Sequence, residues 1–377
     1  MHTTLSFWEK SQIESAPDFT IIGAGIVGLN TAISIKEKQP NAHVVIFERG
    51  RLPYGASTKN AGFSCFGSVS ELIDDIDSMG LENTLDIVEM RLKGLEKLKS
   101  RCGIKNMDYL PSGGVEVFRN EDADLLNQCL ENIPTFNKVF KENFDINMCY
   151  TAQNNAHLPH FHKTSILNPN EGVINPIKMM ETLLQIAYEK GVKIYFGFDI
   201  VEIDKENKIL NTEDGLDIKY QHLIVCTNGF TSKLLPDIEV VPARNQVLIT
   251  QPLDISIPYS GYHLDKGYVY FRRVGDRLLL GGGRNMDTTK ETTAEFGNTE
   301  TIQQYLIKIL EDIHSGASHH IDMWWSGILG IGTEKRPIID SIGENITVGV
   351  RLGGMGVAIG SHLGDLLSDK VLQKDLQ

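Results

Sequence analysis

The chain has 377 residues, 41% of them apolar and 23% charged, the make-up of an ordinary globular protein long enough for two or three cores. Its formal net charge of −13 repels phosphate backbones and anionic membrane surfaces, which argues against nucleic acid as a partner. Five cysteines (Cys65, Cys102, Cys129, Cys149 and Cys226) fall at irregular spacing without a CxxC, so neither a disulfide framework nor a zinc site is expected.

The N-terminal MHTTLSFWEKSQIESAPDF lacks the basic and apolar regions of a secretory signal, and no uninterrupted apolar stretch of about 18 residues is available to span a bilayer. A cytoplasmic protein is expected. Residues 18–49 read strand, helix, strand: DFTIIGAG, then IVGLNTAISIKEKQ with Val27, Thr31 and Ile35 on one face, then AHVVIFERG. Residues 51–68 read as a loop rich in Gly, Ser and Asn. Helices are expected over 80–101 and about 122–140, with short strands over 107–118 between them. Residues 151–172 read as polar and irregular. Pro176 suits the first turn of a helix running to Lys190. Alternating strands follow to Lys219, then HLIVCTNGF, a β-rich stretch over 240–283, a helix over about 299–314, strands over 321–349 and a closing helix over 360–371. The alternation predicts an α/β fold, a Rossmann-type dinucleotide domain interrupted by a mixed β-sheet domain with flanking helices. By chain order the first takes residues 1–105, 151–236 and 326–377, and the second takes 106–150 and 237–325.

Gly23-Ala24-Gly25-Ile26-Val27-Gly28 is a G-x-G-x-x-G segment placed between a strand and a helix. Gly23 permits the tight turn, Gly25 lets a pyrophosphate approach the backbone, and Gly28 lets helix and strand pack closely. The helix N-terminus offers free N–H groups and a positive dipole end to phosphates. Glu48 ends the second strand, where a carboxylate can accept hydrogen bonds from ribose hydroxyls; Arg49 follows it. A glycine-rich turn with a surface glutamate is the plain structural alternative. A Gly/Ser/Asn loop after the fingerprint and a second glycine-rich segment near the C-terminus point to FAD rather than NAD.

With these segments in order, the chain resembles the D-amino acid oxidase superfamily, which includes glycine oxidase, sarcosine oxidase and gamma-glutamylputrescine oxidoreductase. LSFWEK is similar to the aromatic lead-in of the last of these. GASTKNAGFS (55–64) resembles the flavin-contacting loop, and EGVINPIKM (171–179) the element that opens a helix. IVCTNGFT (224–231) resembles the strand that ends near the flavin, and YVYFRRVGDRLLLGGG (268–283) the strand pair on the substrate side. MWWSGILGIGTEKRPIID (323–340) and VGVRLGGMGVAIGSHLGDLL (348–367) resemble the C-terminal signature.

The resemblance implies FAD contacts at Ser57, Thr58, Lys59, Asn60, Ala61 and Gly62. It implies others at Ile200, through its backbone, at Thr227, Asn228, Gly229 and Gly327, and at Gly353, Gly354, Met355, Gly356 and Val357. A helix N-terminus after the last segment can stabilise negative charge on a reduced flavin. Lys59 stands where some relatives attach flavin through His, and Gly327 about where others use Cys, so a non-covalent flavin is expected. Leu329 replaces the Arg that clamps α-amino acid carboxylates, and Leu279 replaces the Lys of sarcosine-type oxidases. Oxygen or another electron acceptor is therefore left open.

The chemistry implied is hydride transfer from a C–H next to nitrogen, in an amine or amino acid, to flavin N5. The alternatives are a 2-hydroxy acid dehydrogenase, a tRNA-modification module and a flavin-binding subunit. Tyr268, Tyr270 and Arg272 alternate, so on one strand they share a face; facing flavin they orient substrate, facing solvent they are surface residues. Arg284 follows the GGG turn and either binds an anionic substrate group or is a solvated turn residue. Trp325 is expected to pack near the flavin and Cys226 to be a small buried residue rather than a nucleophile. His157, His160 and His162 have no carboxylate or Cys at ligand spacing, so no metal is expected.

Overall fold

A computed structural model describes residues 6–13 and 16–374; Leu5 of the aromatic lead-in lies outside the described residues, while Phe7 and Trp8 are exposed on the helix Phe7–Ile13. Strands rich in Val, Ile and Phe build a six-stranded sheet in the order Ile338–Ile342, Ile346–Val350, His222–Val225, Phe19–Ile22, Val44–Glu48, Lys193–Phe196. Its pairings are parallel except at the Ile338–Ile342 edge. Residues on a strand alternate between faces, and both faces here are covered. Phe19, Ile21, Val44, Ile46 and Ile224 pack in the core formed with the helices Ile26–Lys38, Leu81–Cys102, Pro176–Glu189 and Gly356–Lys374. Ile22, Val45, Phe47, Leu223 and Val225 enter a second core with the three-stranded sheet Ile200–Asp204, Ile209–Thr212, Asp217–Lys219. This double burial explains why the strands read as unbroken apolar runs.

An eight-stranded sheet runs in the order Ile321–Ile331, Val241–Thr250, Arg277–Gly282, Val269–Val274, Gly261–Leu264, Gly114–Glu116, Thr164–Asn168, Thr151–Asn154. One face, with Leu248, Phe271, Leu278 and Leu280, packs on the amphipathic helix Glu300–Ile313 through Ile302, Leu306, Ile309 and Leu310. Residues 151–168 and 326–331, which chain order assigns to the dinucleotide unit, carry strands of this larger sheet. Gly114 pairs with Asn168 across the chain, and such pairing leaves no mark in the local composition.

Two helices also differ from expectation. Val69–Met79 is a helix where none was expected, although Ser68 and Glu71 form a capping pattern before an amphipathic run; its first N–H groups, of Val69 and Ser70, are also satisfied by the distant Glu116 carboxylate. The closing helix begins at Gly356, not at 360; the weak helix propensity of Gly356 and Gly360 hides its first turn from a local reading. Small residues let the helices approach. A Cβ placed on Gly94 would lie 1.9 Å from the Ala358 carbonyl oxygen, where Leu81–Cys102 crosses Gly356–Lys374. Gly94→Val is expected to destabilise the fold by about 3 kcal/mol or more, because backbone rather than a movable side chain must give way. Thermal unfolding checks this, and a melting curve unchanged from the parent chain would show that the contact does not matter to stability.

Candidate functional site

At the C-terminal ends of the strands Phe19–Ile22, Val44–Glu48 and His222–Val225 lies a cleft with about 1200 Å³ of empty space. Gly23, Gly25, Ile26 and Val27 line it from the turn and first helix, Glu48 and Arg49 from the second strand, Ser57 and Asn60 from the following loop. Ile200, Thr227 and Asn228 form one wall; Gly353, Gly354, Gly356 and Val357 form another. Gly23 adopts φ +103, and a Cβ there would stand 2.9 Å from the Cys226 carbonyl oxygen. Gly28 lies below the cleft, where a Cβ would meet the Gly23 carbonyl oxygen at 2.0 Å.

The polar groups of the cleft are those a dinucleotide needs. Gly25 caps the helix Ile26–Lys38 without a side-chain bond, and the Ile26 N–H donates to Ser57 Oγ at 2.9 Å. The helix Gly356–Lys374 starts at the opposite wall. Two helix N-termini therefore converge on one space, a favourable setting for phosphate and for negative charge on a bound ring. Buried Glu48 accepts from the N–H groups of Ala24 (2.9 Å), Gly50 (3.0 Å) and Tyr54 (3.2 Å). A carboxylate has about four acceptor sites, so one is left for a ribose hydroxyl. Asn228 Oδ1 accepts from the N–H groups of Arg351 and Leu352 at 3.1 and 3.3 Å, which holds the glycine-rich segment against this wall. Among the described residues, chain neighbours aside, no atom lies within 4 Å of a Cβ built on Gly353 or Gly354, so this stretch is an open cradle.

Other expected contacts stand behind the lining. Thr58 Oγ1 donates to the Pro53 carbonyl at 2.8 Å and folds the loop. The Lys59 carbonyl accepts from Trp325 Nε1 at 2.9 Å, while its ammonium sits 5.0 Å from the Tyr54 ring centre; burial, and then neighbouring Arg49, lower its pKa. Ala61 packs with Val247 and Leu279. The Gly62 carbonyl accepts from Arg272 Nη1 at 3.3 Å. Gly229 packs on the Leu329 carbonyl, Gly327 on Lys59, and Met355 directly precedes the last helix, its carbonyl accepting from the N–H groups of Ala358 and Ile359. Sequence reasoning missed Phe198, Asp199, Phe230 and Lys233, which also line the cleft. Asp199 and Phe198 adjoin Ile200 in FDIVEID, so the same segment that signals Ile200 could have signalled them.

The strand register settles which face of the eight-stranded sheet meets the dinucleotide unit. Trp325, Val247, Gly281, Tyr270, His263 and Glu116 are successive cross-strand partners, and so are Ile249, Leu279, Arg272, Gly261 and Gly114. Partners share a face, and this face lies against Ala61, Gly62 and Phe63. The Tyr270 ring covers Gly281, where a Cβ would come within 2.7 Å of it, and its hydroxyl accepts from Asn245 Nδ2 at 3.0 Å. Burial raises the Tyr270 pKa.

Arg272 is only 7% exposed; no carboxylate among the described residues pairs with it, its Nε has no partner, and burial pushes its pKa down to about 10. Tyr268 precedes the strand Val269–Val274 and is exposed, with the Arg284 guanidinium 5.1 Å from its ring. Tyr268 and Arg284 thus form a surface pair, and only Tyr270 and Arg272 share the inner face. Leu329 lines the cleft, and Leu279 is buried on the inner face. Cys226 lines the cleft with its thiol pushed up to about 12 by burial. His162 Nδ1 accepts from the Thr164 N–H, and the His157–His162 loop gathers no ligand set among the described residues.

The family model described as DAO, FAD dependent oxidoreductase, matches residues 18–370. The chain is 22% identical to the probable oxidoreductase OrdL of Haemophilus influenzae, over 97% of this chain and 85% of that one. It is 23% identical to the L-2-hydroxyglutarate dehydrogenase of Indibacter alkaliphilus, over 65% and 64%. Among solved structures, glycine oxidase from Geobacillus kaustophilus superposes with a TM-score of 0.75 at 17% identity, covering 95% of each chain. Iminodiacetate oxidase from Chelativorans sp. BNC1 gives 0.74 at 19%, covering 94% and 95%. These identities establish a shared fold. FAD is the dinucleotide that the family model and the cleft have in common. Gly354→Val is expected to fold, since nothing in the protein opposes the new side chain, yet to lose FAD affinity by about tenfold or more, roughly 1.4 kcal/mol. The ratio of 450 to 280 nm absorbance after desalting measures this, and full flavin content would move the cofactor away from Gly354.

Proposed function

The chain belongs to the DAO family of FAD-dependent oxidoreductases, and from that premise we propose that it oxidises a small amine or amino acid bearing an anionic group. The observation that carries this reading is Arg272, a buried guanidinium without a counter-ion on the sheet face beside the flavin loop. A buried cation of this kind is costly unless an anion reaches it, and a substrate carboxylate supplies one with matching fork geometry.

FAD, when bound, accepts the hydride from the carbon next to nitrogen. The protein's part is placement. Arg272 holds the anionic end, and the Tyr270 hydroxyl, fixed by Asn245, orients the substrate from the same face. Val247, Leu279, Ala61 and Phe63 give the site an apolar wall that excludes water. The amine must be neutral to yield hydride, and no protein base is assigned. Lys59 and Gly327, in place of attaching His and Cys residues, support a non-covalent flavin. Five free, buried cysteines fit a reducing cytoplasm; no helix among the described residues is long and apolar enough to cross a membrane. Oxygen or another acceptor takes the electrons.

A second reading, a 2-hydroxy acid as hydride donor, is favoured by the Indibacter alkaliphilus relative, because Arg272 would hold either carboxylate. Anaerobic bleaching of the flavin band by a panel of amines, amino acids and 2-hydroxy acids tests both. Bleaching by an anionic amine supports the first reading. Bleaching by hydroxy acids alone replaces it with the second, and bleaching by uncharged amines alone removes Arg272 from substrate binding. For the active substrate, Arg272→Met is expected to raise KM about a hundredfold, near 2.7 kcal/mol, with a smaller change in kcat. Arg272 is charged below its pKa of about 10, so kcat/KM for an anionic substrate, once divided by the fraction of substrate amine that is neutral, should be held below that pH and fall as pH rises through it. A profile flat to pH 11 (about one unit beyond) would detach binding from this group.

A further inference from the structure

Farther along the sheet face that carries Tyr270, beside Phe63, lies a cluster that flavin chemistry does not use. Cys65 follows the strand Phe63–Ser64, Glu171 precedes the strand Gly172–Val173 that pairs with it, and His263 lies in Gly261–Leu264 of the eight-stranded sheet. All three are buried, and one ligand atom from each lies within 4.8 Å of the other two. We propose that Cys65, Glu171 and His263 bind a Zn(II) ion that ties the exit of the flavin loop to the substrate-side sheet, with a water as fourth ligand.

The geometry favours a metal over a simple ion pair. His263 Nε2 lies 3.4 Å from Glu171 Oε2, within ion-pair distance but without strict hydrogen-bond geometry, and no other described residue partners it. With Zn–N and Zn–O bonds near 2.0 Å, tetrahedral ligand atoms stand roughly 3.3 Å apart, close to the separation of these two atoms. The backbone already orients the carboxylate. Glu171 Oε1 accepts from the N–H groups of Phe66 and Gly67 at 2.9 and 3.3 Å, which leaves Oε2 for the cluster. Glycine at 114 makes the room, since a Cβ there would stand 1.9 Å from Glu171 Oε2.

The surroundings call for positive charge. Glu116 is the cross-strand partner of His263, so a second buried carboxylate flanks the trio. The nearby Arg91 is already committed to Glu71 (3.2 Å) and to the Phe66 carbonyl (2.9 Å). Sulfur, imidazole and carboxylate together suit zinc among the common divalent ions. Binding converts the Cys65 thiol to thiolate and releases its proton to solvent. The Phe63 ring packs against both His263 and Tyr270, at 5.3 and 5.4 Å between centres, so the ion would brace the wall of the substrate site.

The test uses the full-length flavoprotein from zinc-supplemented cells, purified without chelators and desalted, with metal counted by mass spectrometry against FAD absorbance. About one zinc per chain is expected, with a loss of at least about tenfold in Cys65→Ala and His263→Gln while flavin is retained. If those variants fail to fold, zinc K-edge absorption of the unaltered protein decides, with one sulfur near 2.3 Å and lighter ligands near 2.0 Å expected. A zinc content below about 0.1 per chain, zinc retained by both variants, or an edge without sulfur would overturn the site. The trio would then be a neutral thiol beside a buried imidazole and carboxylate.

Discussion

The contact between Gly28 and the Gly23 carbonyl underlies the whole dinucleotide unit. With a Cβ excluded at 2.0 Å, the helix Ile26–Lys38 lies close enough to the strand Phe19–Ile22 for its N-terminus to open directly into the cleft. Helix dipole and free N–H groups act only over the first turn. A wider spacing would move them away from the phosphate position and separate them from Glu48, whose carboxylate is fixed by the Ala24 N–H of the same turn. The second helix N-terminus, at Gly356, reaches the opposite wall through a similar economy of side chains: Gly94, Gly360 and Gly364 let three helices cross at near-backbone contact.

The larger sheet contributes by reaching across to the loop that follows the fingerprint. Trp325 donates to the Lys59 carbonyl, Arg272 to the Gly62 carbonyl, and Tyr150 to the Gly67 carbonyl at 2.7 Å. Glu171 and Glu116 satisfy the N–H groups of residues 66, 67, 69 and 70. Apart from its short strand Phe63–Ser64, the segment 55–70 therefore has many backbone polar groups answered by side chains from the larger sheet and its connections. Buried polar groups must be paired, so the loop cannot take this shape without that sheet in place. The flavin-side loop and the substrate wall are one assembly.

Burial of charge separates structural groups from reactive ones. Arg244 is buried but held by the Glu291 carboxylate through two bonds of 2.9 Å, within a network that includes Gln246 and Thr299. Arg101 is answered by Asn30, Ser34 and Glu37. Arg272 has only a carbonyl. Three arginines of similar burial thus differ in whether the fold neutralises them, and the one left over faces the loop that follows the fingerprint.

Much of the dinucleotide unit was legible in the chain. Gly23, Gly25 and Gly28 between an apolar run and a 3.6-residue pattern, with Glu48 at the end of the next strand, are local in sequence, and the forces that act on them are local too. The glycine-rich segment at 353–356 and the loop around Ser57 were recognisable by family pattern and do line the cleft. Face and partnership were not legible. That Tyr270 and Arg272 look inward while Tyr268 stays at the surface with Arg284 depends on where the strand Val269–Val274 begins and on its register with Arg277–Gly282. The strands in 151–168 and the meeting of Cys65, Glu171 and His263 depend on partners distant in the sequence. Periodicity and turn chemistry act between neighbours along the chain and so can be read from it. Cross-strand register, the pairing of buried charges and the convergence of remote side chains arise only when the sheets close on one another.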